Sequence, residues 1–368
     1  MKARIEKIFR ALETPIDALV LANSVDPHLD QTFFYVFDVP SGLFEGSFAV
    51  AHSDGALDVI TSPLEAESAH EAAKGDPHVR VHSVTRDETG PFVQKLLGSS
   101  GTLGLNYWEL THGWFTQLEK MLPKAKWVDV SAAIRKARAT KDATEIERLR
   151  RAAEIGSAVG RRIPGWLKAG MTELELAAEM EYGMNRLGAG GRSFATIVGF
   201  GPHGAEPHFA PGDARLVAGQ SIVCDFGAYY RRYASDITRS FHFGPRDDEM
   251  KRVHETVEAA QRAALAEVRA GAPGKGVHDA AAKVIDASPW KGRFTHGVGH
   301  MIGLAVHDGQ YFGPNVEGPL EAGMVLTVEP GIYIPGRGGV RIEDDILVTR
   351  DGYEFLTTAP REYIEVPA

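Results

Sequence analysis

The chain has 368 residues, 43% of them hydrophobic and 24% charged, with a formal net charge of -9 and a single cysteine. That length admits two domains with ordinary globular cores. The acidic balance argues against a nucleic-acid partner, which would present a basic stripe, and no apolar run of about 18 residues points to a membrane span. One cysteine, Cys224, excludes an internal disulfide and a thiolate metal site alike.

The N-terminal segment MKARIEKIFRALETP reads as a charged amphipathic helix without the apolar core of a signal peptide, so a cytoplasmic location is expected. Short strands and helices then alternate. DALVLA, GSFAVAH, ALDVITSP, VRVHSV, TLGLNY and KWVDVS read as strands; EAESAHEAAK, GPFVQKLL and LTHGWFTQLEKML read as amphipathic helices. This alternation predicts an α/β domain over residues 1–132 with a largely covered sheet. It contains no cluster of potential metal ligands.

From residue 133 the texture changes to long charged helices. Thr172 and Glu175 fit a capping box with Met171 as the apolar residue before it, and Arg150, Arg151, Arg161 and Arg162 read as a solvated helix face. Strands follow, then two helices (RDDEMKRVHETVEAAQRAALAEVRAG and GVHDAAAKVIDAS), then strands to the end. Two rounds of helix, helix, strands predict an α+β domain over 133–368 whose related halves close a curved antiparallel sheet.

Five potential ligands of this half each sit in a stretch that reads as a strand: SIVCDFGAYY (Asp225), YASDITRSFHF (Asp236), THGVGHMIGL (His300), MVLTVEPGIYI (Glu329) and GGVRIEDDILVT (Glu343). Carboxylates are depleted in strands and need a compensating partner there. Four carboxylates and one imidazole suit two adjacent divalent cations, and such a pair can hydrolyse an unactivated bond such as an amide. Asp225 and Asp236 flank the turn-like AYYRRY, so a hairpin would bring them together; the alternative is a surface pair between Asp236 and Arg239. His296 and His300 form H-x-x-x-H, but Gly297, Gly299 and Gly303 disfavour a zinc-binding helix. Those glycines fit a strand or loop where backbone passes close to the site. His307 is a third histidine nearby, and His208 lies in a Pro- and Gly-bracketed loop of the kind that often carries substrate contacts. Arg341 shares strand parity with Glu343 and so faces the same side, whereas Asp344 and Asp345 fit a solvated turn. Cys224 reads as a buried inert thiol, and His203, Tyr229 and His242 as structural or supporting residues.

Together the D-x10-D spacing and the segments HGVGHMIGLAVHD, TVEPGIY and GVRIEDDILVT resemble the "pita-bread" metallopeptidases, which comprise proline dipeptidases (prolidases), aminopeptidase P and methionine aminopeptidases. The resemblance is specific over 200–350. It extends more weakly to the N-terminal domain, which is similar to the creatinase-type domain that methionine aminopeptidases lack. Creatinase itself shares the fold without the metal ligands. The resemblance implies that Asp225 binds one metal, His300 and Glu329 the other, and that Asp236 and Glu343 bridge both. It implies manganese by ligand hardness, with cobalt or zinc as options. Glu329 would be general base and proton shuttle. His307 would contact substrate and stabilise the oxyanion, His208 and His296 would be pocket histidines, and Arg341 would orient the bridging glutamate or the substrate. The implied activity is an Xaa-Pro dipeptidase on small peptides with proline second, acting as a homodimer. An aminopeptidase P acting on longer peptides is the alternative, and a catalytically silent binding module of the same fold a distant one. One departure stands out. Many prolidases carry an arginine soon after the third histidine segment to bind the dipeptide carboxylate, yet DGQYFGPNVEGPLEAGMV contains no Lys or Arg.

Overall fold

The computed structural model describes residues 1–98, 100–315 and 318–368; Val316 and Glu317 of the arginine-free stretch lie outside the described residues. The chain divides into two units, Met1–Arg138 and Ala139–Ala368.

The first unit is built on six strands: β1 Ala18–Ala22, β2 Phe48–Ala51, β3 Leu57–Thr61, β4 Val79–Ser83, β5 Ser100–Leu105 and β6 Lys124–Asp129. Their order is β4-β3-β2-β1-β5-β6. β2 pairs antiparallel with both β1 and β3, and the remaining neighbours are parallel. Parallel pairs need a crossover connection. Helices Ala66–Ala73, Arg86–Leu97 and His112–Met121 supply them, as the alternating sequence predicts. The N-terminal helix Lys2–Arg10 buries Ile5 and Ile8. Helix Gln31–Phe37 was not foreseen, because every residue from Thr32 to Phe37 is buried and no amphipathic stripe betrays it. Its one local signal is Asp30, whose carboxylate caps the N–H groups of Thr32 and Phe33. On β3 the buried Asp58 meets His52 (3.0 Å), His82 (2.7 Å) and Arg80 (2.7 Å from Nε). Burial would raise its pKa, but these partners outweigh that and pull it down to about 2.

The second unit begins with helices Ala143–Gly160 and Glu173–Arg186, the latter opened by the expected capping box with Met171 and Leu176 in one apolar cluster. Strands β7 Gly191–Arg192, β8 Ile197–Phe200, β9 Gln220–Phe226, β10 Ala228–Tyr230, β11 Tyr233–Ala234 and β12 Ile237–Phe243 follow. Helices Asp248–Ala266 and Gly274–Asp286 come next. The chain ends with β13 Gly299–His300, β14 Tyr311–Phe312, β15 Val325–Val328, β16 Gly331–Ile334, β17 Gly338–Arg341, β18 Asp344–Val348, β19 Tyr353–Phe355 and β20 Ile364–Val366. These form small sheets, β20-β12-β9-β8 and β15-β18-β19 among them, antiparallel except where β12 meets β20.

Strand alternation decides what faces the site. Ile222, Cys224 and Phe226 of β9 join the apolar cluster formed with the first helix pair, which turns Asp225 to the other face. Leu326 and Val328 of β15 and Ile346 and Val348 of β18 pack with the second helix pair, which leaves Thr327 and Asp345 on the opposite face. Burying a Val, Leu or Ile side chain is worth about 1.5–3 kcal/mol, so these clusters fix the register that aims the carboxylates. Among the described residues, no helix is long and apolar enough to cross a membrane.

Candidate metal centre

β9 and β12 pair with Asp225 opposite Thr238, and Asp236 lies immediately before β12. The hairpin between them turns through Arg231 and Arg232, both with positive φ (46° and 72°), as a tight hairpin turn demands. This brings Asp236 beside His300 of β13 and Glu343, which sits between β17 and β18. One ligand atom from each of the three lies within 4.8 Å of the others, and the residues are only 5%, 4% and 2% exposed. His300 Nε2 is 3.5 Å from Asp236 Oδ2 and 3.7 Å from Oε1 of the half-buried Glu329, which closes β15.

His300 donates Nδ1–H to the Met301 carbonyl (3.3 Å), which leaves the Nε2 lone pair facing the carboxylates. Burial, reinforced by His307, lowers its pKa to about 3, so the ring is neutral. Burial and then mutual repulsion hold Asp236 and Glu343 well above the usual carboxylate range; burial above all lifts Glu329 to about 8. Asp225 Oδ1 and Asp236 Oδ1 are buried with no hydrogen-bond partner. Crowded, desolvated, unsatisfied carboxylates beside a neutral imidazole form a donor set that fits divalent cations.

A hydrogen-bonded chain orders this cluster. Thr238 Oγ1 donates to Glu343 Oε2 (2.6 Å) and accepts from Arg341 Nε (3.0 Å). Arg341 Nη2 donates to Asp225 Oδ2 (2.6 Å), and its Nη1 donates to the Tyr333 hydroxyl (2.9 Å). Tyr333 O–H donates to His296 Nε2 (2.8 Å), whose Nδ1–H is spent on the Gly297 carbonyl (2.7 Å). Burial, with Arg341 adding, lowers His296 to about 4, which fits that neutral tautomer. Sequence reasoning missed Thr238 and Tyr333. Thr238 shares strand parity with Asp236 and was findable; Tyr333 lies beyond the Pro330-Gly331 bend and gave no pattern.

The other expected residues gather at the same place. His307 is exposed, its ring centroid 4.4 Å from that of His300 and 5.1 Å from that of Tyr311. His208 is exposed and near enough to bias the titration of both His296 and His307. Its loop is pinned by the buried Glu173, which accepts from Phe200 N (2.9 Å), His203 Nδ1 (2.7 Å) and Gly212 N (3.1 Å). His242 Nε2 donates to the Pro245 carbonyl and Tyr229 to the Leu304 carbonyl, both structural contacts. Cys224 is buried, and desolvation pushes its thiol pKa far up.

Three sequence expectations are corrected. Asp344 and Asp345 are not a solvated turn: they are 0% and 2% exposed in β18. Asp344 accepts from Arg239 (2.7 Å), Arg361 (2.6 Å), Gln261 (2.8 Å) and Thr357 (2.7 Å). Asp345 Oδ2 accepts from the backbone N–H of Asp236 (3.0 Å). Asp236 does not pair with Arg239 on the surface, since odd spacing turns Arg239 to the opposite face, where it is buried against Asp344. THGVGHMIGL keeps only β13 as strand, because the backbone is crowded there; a Cβ at Gly299 would collide with the Thr327 carbonyl oxygen.

Comparison with known proteins agrees with this geometry. Residues 147–350 match the model of metallopeptidase family M24, and residues 3–140 match the creatinase/prolidase N-terminal domain. A protein of Bacillus subtilis (strain 168) named "Uncharacterized peptidase YqhT" is 37% identical over 262 residues, 71% of this chain and 74% of its own length. A Staphylococcus aureus (strain USA300) peptidase is 40% identical over 229 residues, 62% of this chain and 65% of its own length. Among solved structures, the Xaa-Pro dipeptidase from Bacillus anthracis superposes with a TM-score of 0.88 at 32% identity over 99% of both chains. The X-Pro aminopeptidase from Thermotoga maritima MSB8 gives 0.87 at 33% identity over 95% of this chain and 98% of its own. With its family model covering more than half its length and its buried Asp-His-Glu group in place, this chain belongs to metallopeptidase family M24.

Proposed function

We propose that this protein hydrolyses the imide bond before proline in Xaa-Pro dipeptides. The observation that carries the reading is the cluster of Asp225, Asp236, His300, Glu329 and Glu343, in which Asp236, His300 and Glu343 converge within 4.8 Å and Asp225 Oδ1 and Asp236 Oδ1 are buried without a partner. These five side chains would hold two divalent ions, manganese by ligand hardness, with cobalt or zinc as the other options. Bound there, the ions supply Lewis acidity and a lowered pKa for water. The rest is the protein's own work. Glu329, ionised once a bound metal displaces its proton, would take a proton from the attacking water and return it to the proline nitrogen. His307, neutral at the mouth, offers a ring N–H to the carbonyl oxygen as charge develops. His208 lines the same opening. His296 acts through Tyr333 and Arg341, since both its ring nitrogens are engaged. An imide nitrogen carries no proton, so a dedicated site for such bonds is chemically sensible. The kinship with proteins described as a dipeptidase and an X-Pro aminopeptidase supports the substrate class.

A second reading, cleavage of the first residue from longer peptides, is favoured by one feature. Tyr311, 53% exposed and neutral, stands beside His307, and the stretch 308–325 contains no Lys or Arg to hold a dipeptide carboxylate. The test is product release from Ala-Pro and Ala-Pro-Pro-Ala after chelation and manganese addition. Turnover of Ala-Pro alone supports the dipeptidase. Cleavage of both, or of the longer peptide alone, moves the assignment to the aminopeptidase, and silence on both removes the Xaa-Pro reading. Cytoplasmic operation as a homodimer completes the proposal.

A further inference from the structure

Thr327 of β15 and Asp345 of β18 are direct cross-strand partners, so their side chains share one face. Both are buried, and their neighbours Leu326, Val328 and Ile346 point into the apolar cluster on the other side. Each polar side chain holds the backbone of a candidate ligand. Thr327 Oγ1 accepts from His300 N (3.1 Å) and leans on Glu329 Oε1 (3.5 Å). Asp345 Oδ2 accepts from Asp236 N (3.0 Å). Asp236 lies just outside β12, and this carboxylate anchors its backbone N–H.

Asp345 is itself rigidly placed. Its N–H donates to Thr357 Oγ1 (3.1 Å), and its carbonyl accepts from Leu356 N (2.9 Å). The adjacent Asp344 turns to the opposite face and is saturated by Arg239, Arg361, Gln261 and Thr357. Among the described residues, the one side-chain hydrogen bond of Asp345 reaches back to a candidate ligand, Oδ1 is buried without a partner, and Arg239 bears on it electrostatically without hydrogen-bonding to it. A buried carboxylate so weakly compensated is costly as a structural element alone. Its place becomes intelligible if its work is done at the metal cluster.

We infer that Thr327 and Asp345 form a positioning pair that sets the backbone of His300 and Asp236 before metal arrives, with Asp345 the member that controls metal affinity. This inference rests on the two-metal part of the proposed function. It does not depend on which peptide is cut. Outer partners of this kind are typically worth about 10–100-fold in metal affinity or activity.

The test titrates manganese chloride calorimetrically into chelator-treated full-length protein and measures kcat and KM on whichever peptide the wild type turns over. Asp345→Ala should weaken manganese binding about 10–100-fold and lower kcat while leaving KM within about twofold. Asp345→Asn keeps a carbonyl acceptor for the Asp236 N–H and should recover most of the affinity. Wild-type manganese affinity in a folded Asp345→Ala protein overturns the inference, as does an Asn variant as impaired as the Ala one. Should Asp345→Ala fail to fold, Thr327→Val decides: weakened manganese binding with an unchanged circular dichroism spectrum supports the pair, and wild-type binding overturns it. A wild type silent on both peptides, with manganese affinity still lost in Asp345→Ala, would sink the peptidase reading and leave this one standing.

Discussion

The buried Asp344 offers the sharpest test of how this fold is held together behind its metal cluster. Asp344→Asn preserves shape but removes the charge that Arg239 and Arg361 share, at 2.7 and 2.6 Å. Arg239 would keep carbonyl acceptors from Thr238, Glu343, Ala359 and Pro360, but no anion. Gln261 Nε2 and Thr357 Oγ1, both now donating to Asp344, would compete for a single amide oxygen. Removing one partner of a buried ion pair costs about 3–5 kcal/mol. At roughly 2–4 °C per kcal/mol for a unit of this size, the variant should lose about 6–20 °C in Tm. The assay is differential scanning calorimetry on chelator-treated protein, so that altered metal binding does not contribute. Burial opposes ionisation of Asp344, but Arg239 and Arg361 win and hold its pKa below the usual value. A depressed carboxylate stabilises above its unfolded pKa and loses that contribution as pH falls through its folded one. The gap between wild type and variant should therefore be full near neutrality and shrink in strong acid. A variant melting within about 2 °C of wild type at neutral pH would refute the reasoning.

Three further outcomes are expected. Asp236→Asn should abolish turnover while leaving the circular dichroism spectrum and secondary structure intact; retained activity would end the two-metal reading. Glu329 is lifted to about 8 by burial, so manganese loading near pH 7 should release protons and tighten as pH rises; calorimetry in buffers of different ionisation enthalpy reads this directly, and a heat independent of buffer would contradict it. In the first unit, Asp58 is held at about 2 by Arg80, His82 and His52 against the opposing effect of burial. It should contribute about 2 kcal/mol above the ordinary carboxylate pKa, lost as pH falls toward 2. Asp58→Asn should remove that acid dependence from the melting of the first unit, and an unchanged pH profile would count against the assignment.

The sequence by itself determined the class of fold and named candidate ligands, of which Asp236, His300 and Glu343 come together in one buried group. Asp225 and Asp236 are legible because a carboxylate inside SIVCDF or YASDITRSF contradicts strand propensity, and such contradictions mark sites. Alternation of period two was enough to put Arg341 with Glu343. What it could not decide was which polar residue faces which side when both sides are buried. Asp344 and Asp345 look like a solvated acidic turn because the groups that bury them, Arg239, Gln261, Thr357 and Arg361, lie far off along the chain. Tyr333 and Thr327 entered the site only through cross-strand register and the bend at Pro330, which local pattern does not encode. Helix Gln31–Phe37 escaped for the same reason: burial on all faces erases the amphipathic signal. Local chemistry names the candidate ligands, and only tertiary packing fixes the groups that hold them in place.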